Sequence, residues 1–113
     1  MLSPTGWWLA VEPADLRCGA DRLLAKVRDE LGQDVRGGGA YAFRNRSATR
    51  MKVVCVDAQG VWLCTRRLHA GAFHWPRAGD AACALTPEQF AWLCAGVEWQ
   101  RLSRAMRSLP CVV

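Results

Sequence analysis

Apolar residues switch between two periods along this chain, and the switches mark its elements. Trp7 to Val11 is a short apolar segment of strand formers, and Glu12-Pro13 stops it because proline removes a ladder donor. From there Ala20, Leu23, Leu24, Val27 and Leu31 recur at helical spacing, with Arg22, Lys26 and Asp29 facing away. The pattern predicts an amphipathic helix over 20–31, ended by Gly32. Gly37-Gly38-Gly39 then reads as a flexible break, because three glycines make helix or strand costly in backbone entropy.

Period two takes over after the glycines. Ala40 to Arg44 and Met51 to Val56 are expected strands joined by the polar segment Asn45 to Arg50, and the turn Asp57-Ala58-Gln59-Gly60 leads into a third over Val61 to Leu68. Alternation puts Lys52, Val54 and Val56 on one face and Met51, Val53 and Cys55 on the other. Both faces are mostly apolar, which implies a sheet covered on more than one side. Ala70-Gly71 makes another turn before Phe73-His74-Trp75, read as a further strand ended by Pro76. Helical period returns at Thr86-Pro87-Glu88-Gln89, where an N-cap threonine, a proline at the first helical position and a glutamine three residues on form a capping box. Phe90, Leu93, Cys94 and Val97 are its buried stripe, and Arg101, Arg104 and Arg107 recur at a spacing of three on the tail. The expected architecture is α+β: an antiparallel meander of about four to five strands packed against one N-terminal and one or two C-terminal helices.

Length and composition narrow this to one domain spanning 1–113, with an ordered core over about 7–100. The chain has no apolar run near the roughly 18 residues that span a bilayer and no basic leader at its start, so a cytoplasmic protein without membrane contact is expected. Cys18, Cys55, Cys64, Cys83, Cys94 and Cys111 are widely spread and form no Cys-x-x-Cys or Cys/His cluster. They read as small buried hydrophobes, with Cys55 and Cys64 on one face of the hairpin. His69 and His74 lie five apart and share no helix face, and no phosphate loop, nucleophile elbow or carboxylate pair is present. The expectation is therefore no enzyme, no metal and no cofactor.

Charge is what separates this chain from a generic small domain. Between Tyr41 and Pro76 lie Arg44, Arg46, Arg50, Lys52, Arg66 and Arg67 against Asp57 alone, while acids and bases elsewhere cancel, so the net charge of +5 is local to the hairpin. Arginine offers bidentate donors to phosphate, and Trp62 among these cations offers a stacking surface. Arg44, Arg46, Arg50, Lys52, Arg66, Arg67 and Trp62 are the candidate contacts to nucleic acid or to an acidic partner. The alternatives are a solvated face for the cations and core packing for Trp62 and Trp75. Trp92 and Trp99 read as packing residues.

The order of short motifs adds a second line of argument. Trp8-Leu9-Ala10, Asp15-Leu16-Arg17-Cys18-Gly19-Ala20-Asp21, Phe43-Arg44-Asn45-Arg46 and Arg50-Met51-Lys52 are followed by Asp57-Ala58-Gln59-Gly60, Arg66-Arg67-Leu68 and Gly71-Ala72-Phe73-His74-Trp75-Pro76. Leu85-Thr86-Pro87-Glu88-Gln89 and Gly96-Val97-Glu98-Trp99 complete the series. From Trp8 to Trp99 the chain resembles the TnpB-type accessory protein, the second open reading frame of the insertion sequence sixty-six family of bacterial transposons. Two departures lower the local charge: Cys18 stands where the family pattern has lysine, and Ser47-Ala48-Thr49 replaces a charged loop.

The resemblance implies a small bacterial protein needed for efficient transposition beside a separate, larger transposase that carries the catalytic acids. It implies the element-encoded transposase as partner, with a third element protein as a further candidate, and supplies a process but no active site. Two readings follow: an accessory factor that contacts DNA through the basic hairpin, or a protein-only subunit that docks the transposase. Oligomeric state is not encoded in any motif.

Overall fold

The structure is a computed structural model that describes residues 2–108, with side chains through Arg104. Strands Trp7–Ala10 (β1), Ala40–Arg44 (β2), Arg50–Val56 (β3), Val61–Arg67 (β4) and Ala82–Leu85 (β5) form one sheet in the order β4-β3-β2-β1-β5. Helix Ala20–Asp29 (α1) lies between β1 and β2 in the chain, and Pro87–Cys94 (α2) and Trp99–Ser108 (α3) follow the last strand. The fold is α+β with a mixed sheet. The β2-β3-β4 portion is the expected antiparallel meander, whereas β1 runs parallel to β2 and antiparallel to β5. The parallel pair follows from α1, which carries the chain back across the sheet between them, the connection such a pair requires.

Period two in β3 divides the interior as expected. Val54 joins Ala10, Tyr41, Phe43, Leu16, Leu23 and Val27 in a core beneath α1. Met51, Val53 and Cys55 join Leu9, Ala42, Phe73, Trp75, Leu85, Leu93 and Trp99 in a core on the opposite face, under α2 and α3. Leu23 and Val27 are fully buried, and at roughly 1.5–3 kcal/mol per buried aliphatic side chain they are the main attachment of α1 to the sheet. On the other face the Trp7 and Phe90 rings stack at 3.9 Å, locking α2 onto β1. The capping box is formed in full: Thr86 Oγ1 accepts from the Gln89 amide and Gln89 Oε1 accepts from the Thr86 amide.

Two expectations about local structure are corrected. Phe73 to Trp75 is not a strand; it is an extended segment crossing the α2/α3 face, with Phe73 and Trp75 buried. Three hydrogen bonds hold it there: the Phe73 amide to the Ala48 carbonyl, the Trp75 indole to the Ala10 carbonyl, and the Trp99 indole to the His74 carbonyl. The fifth strand is instead Ala82–Leu85, whose alanines and cysteine carry little strand propensity and which forms because β1 offers it a ladder. The glycine run is also more ordered than expected. Val35–Gly37 is a 3-10 turn capped by Gly38 at φ 84, a left-handed conformation suited to glycine.

Candidate functional site

Three of the hairpin cations converge on one face. Cross-strand pairing sets Arg50 opposite Arg67 and Lys52 opposite Thr65, so all four side chains share the α1 side of the sheet. The turn that fixes this register is built on Asp57, whose Oδ1 accepts from the Gln59 and Gly60 amides at 2.9 Å each while its own amide bonds the Gly60 carbonyl. Beside these cations runs the segment leading into α1, and between the two lies an open groove of about 630 Å³ lined by Ala14, Asp15, Leu16, Arg17, Asn45, Arg50, Lys52, Thr65 and Arg67.

Arg44 holds the two walls together. Its side chain donates to the Val11 carbonyl from Nε at 3.3 Å and Nη2 at 3.1 Å, and from Nη1 to the Arg46 carbonyl at 3.1 Å. Its carbonyl accepts from the Ala14 amide at 2.8 Å. Arg44 is thus not at the open surface position expected of a contact residue: only 9% exposed, it staples the 11–14 segment to the end of β2. Burial, and then the nearby Arg77, pulls its guanidinium below the ordinary arginine value. The loop after it is ordered by Asn45, whose Oδ1 accepts from the amides of Thr49 and Arg50 and whose Nδ2 donates to Thr49 Oγ1. That brace sets the start of β3, and with it Arg50.

The groove gathers several cations that have no acidic partner among the described residues. The ion pairs among the described residues are Arg17–Asp15, Lys26–Glu30, Arg28–Asp29 and Arg36–Asp34, and none of them involves Arg50, Lys52 or Arg67. Arg17 enters the groove as the partner of Asp15, with Nε and Nη2 each 3.0 Å from a carboxylate oxygen. That side-chain bond is the main reason the Asp15 carboxyl is held down at about 2. Four cations thus meet one carboxylate in a concave, partly apolar setting, which suits an extended anion carrying several charges.

The remaining candidates point elsewhere. Arg46 is exposed on the β2–β3 loop and does not line the groove. Arg66 faces the α2 side, where its Nε donates to the Cys94 carbonyl at 2.7 Å. Trp62 shares that face and is 39% exposed, its indole donating to Asp57 Oδ2 at 2.8 Å. Trp75 is a core residue. Arg101 and Arg104 are exposed on α3, while the side chain of Arg107, like Cys111, lies outside the described part. Burial pushes the Cys55, Cys83 and Cys94 thiols up, in keeping with cysteines used as small hydrophobes, whereas Cys64 is exposed on β4 rather than buried as expected. Arg17 was the contributor that hairpin charge alone did not reveal, because it reaches the groove from a separate loop.

Among the described residues no helix is long and apolar enough to cross a membrane, and no group of His, Cys, Asp or Glu could hold a metal ion. No solved structure matches the chain. Two curated relatives from Sinorhizobium fredii (strain NBRC 101917 / NGR234) do. The uncharacterized protein y4hO is 36% identical over 100 residues, covering 88% of this chain and 87% of that protein. The uncharacterized protein y4jC is 34% identical over 96 residues, covering 85% and 82%. The family described as IS66 Orf2 like protein matches residues 5–104, a span that takes in every strand, α1, α2 and the whole groove. The motif series and the fold that carries it thus have one source: this chain belongs to the IS66 Orf2-like family of insertion-sequence proteins.

Proposed function

We propose that this protein is a non-catalytic accessory factor in IS66-type transposition that contacts the phosphate backbone of DNA through the groove between the 14–17 segment and the β3–β4 hairpin. The observation that carries the reading is the clustering of Arg50, Lys52 and Arg67 on one face with no ion-pair partner among the described residues, next to Arg17. Family membership supports the process, transposition, and action alongside an element-encoded transposase is part of the proposal. The groove supplies the chemistry. Arginine forks and a lysine ammonium neutralise phosphates, and Asn45 and Thr65 add neutral hydrogen-bonding groups at the rim.

A salt titration of DNA binding, followed by fluorescence anisotropy on duplexes and single strands from the element's ends, tests this. With four cations engaged, log affinity should fall against log salt with a slope of about −3.6 on duplex DNA. Replacing Arg50, Lys52 and Arg67 by glutamine should reduce the slope to about −0.9, the contribution of one cation. No binding at low salt, or an unchanged slope in the triple variant, removes the groove from the reading. A transposase complex that survives nuclease treatment and is lost on charge reversal at the same cations would replace DNA contact with protein docking.

A further inference from the structure

β4 is an edge strand, bonded to β3 and to no other strand, and each of its seven residues is exposed. Its free side can be read from the ladder. The Leu68 amide bonds the Thr49 carbonyl and the Asp57 amide bonds the Gly60 carbonyl, so even-numbered residues of β4 turn their backbone groups toward β3. Val61, Leu63, Thr65 and Arg67 turn theirs outward. Pairing with β3 is continuous over seven residues, with no bulge, and the strand contains no proline, so two common protections of an open edge are missing. Val61, Trp62 and Leu63 are also large apolar groups left 48%, 39% and 40% exposed.

We propose that β4 pairs antiparallel with β4 of a second copy of this chain, about a two-fold axis at Cys64. Symmetry and the position of the outward groups select this register. A ladder formed by odd-numbered residues requires pairs whose numbers add to an even total, and the centre at Cys64 is the one that pairs the whole of Val61–Arg67. The strand is compatible with itself in that register. Arg67 falls opposite Val61 and Arg66 opposite Trp62, so no arginine faces another across the interface. Trp62 offers a ring for cation–π contact, and the carboxylate of Asp57 is already bonded to its indole. A neighbour with an acidic strand would satisfy the arginines but leave the Val61–Leu63 end uncovered; a second copy covers that end with the alkyl stems of its Arg66 and Arg67 while leaving their heads at the solvent edge.

The two-fold stands perpendicular to the sheet, which keeps both α1 faces on the same side. Two five-stranded sheets would become one, and two basic grooves would lie on one continuous surface. This consequence rests on the groove reading; the pairing itself does not.

Light scattering coupled to gel filtration, without nucleic acid, tests the pairing: the expected mass is twice the 12.5 kDa of one chain. The Thr65→Pro variant should be monomeric with an unchanged circular dichroism spectrum, because the amide it removes faces outward. Leu63→Lys should also be monomeric, and serves if the proline variant is unstable. Cys64 of each copy would sit at a non-hydrogen-bonded pair, about 4.5 Å apart at Cα, inside the disulfide range. Copper–phenanthroline oxidation should therefore give a Cys64–Cys64 crosslink, identified by peptide mass, that is lost in Thr65→Pro. A monomer throughout the concentration range, or a dimer that persists in both variants, overturns the proposal and leaves the groove reading standing.

Discussion

Arg50 and Arg67 face each other directly across the β3–β4 ladder, two like charges on the same side of the sheet. Opposed like charges weaken an antiparallel pair, and an anion between them turns the repulsion into two attractions. Arg67→Thr should therefore raise the stability of the free protein by about 0.5 kcal/mol while weakening DNA binding. Urea denaturation reads the stability, fluorescence anisotropy on duplex DNA reads the binding, and urea denaturation with and without phosphate reads anion binding at the pair. The wild type should gain more from phosphate than the variant does, and equal gains would show that the pair holds no anion.

Asp15 limits the positive field of the groove. Its carboxyl is held down at about 2, first by the Arg17 side-chain bond, so the pair is intact at neutral pH and breaks only as the solution is acidified through that value. A depressed folded-state value means that the stabilisation is present above the ordinary carboxylate range and lost as pH falls. In Arg17→Ala the Asp15 titration, followed by carboxyl NMR, should move up toward the ordinary value. Asp15→Asn should remove the one carboxylate that faces the groove cations and tighten DNA binding, with the salt slope staying near about −3.6 because Arg17 is already one of the four contacts.

Arg44 separates position from contact. Arg44→Met removes the donors to the Val11 and Arg46 carbonyls and should cost about 1.5–3 kcal/mol of stability. Introduced into Arg17→Ala, where the 11–17 wall carries no cation, Arg44→Met should lower affinity for DNA further as that wall loosens but leave the salt slope unchanged, because Arg44 contacts no phosphate. A slope reduced by one cation would return Arg44 to the binding surface.

The turn at Asp57 gives the hairpin a dependence on acid. Bonds from the Gln59 amide, the Trp62 indole and the Gly60 amide lower the Asp57 carboxyl, so its contribution is complete at neutral pH and is lost as pH falls below the ordinary carboxylate value. The fluorescence difference between wild type and Trp62→Phe should report that titration. Asp57→Asn should abolish the transition and also lower the hairpin's protection from amide exchange.

Much of this molecule can be read from residue order, and the parts that cannot share a cause. Helix α1, strands β2 to β4 and the capping box at Thr86 rest on local periodicity and local hydrogen bonds, which the chain displays directly. β5 and the Phe73–Trp75 segment depend on what they meet: Ala82–Leu85 is a strand because β1 lies alongside, and Phe73–Trp75 is held by carbonyls of Ala48 and Ala10 and by the indole of Trp99. The groove divides in the same way. Arg50, Lys52 and Arg67 share a face by alternation about the Asp57 turn, and alternation likewise sends Arg66 to the opposite face. The burial of Arg44 against Val11 and the arrival of Arg17 are tertiary events that no spacing announces.

β1 sits between β2 and β5 even though it is the first strand of the chain. As the protein is synthesised, Trp7–Ala10 must wait for Ala40–Arg44 on one side and for Ala82–Leu85 on the other. Until residue 85 leaves the ribosome the sheet has a gap along its first-made strand, and α2, which stacks Phe90 on Trp7, has no complete floor to land on. Closure of the fold is thus tied to the emergence of β5, and a chain interrupted before it would present an open strand edge to whatever it meets first.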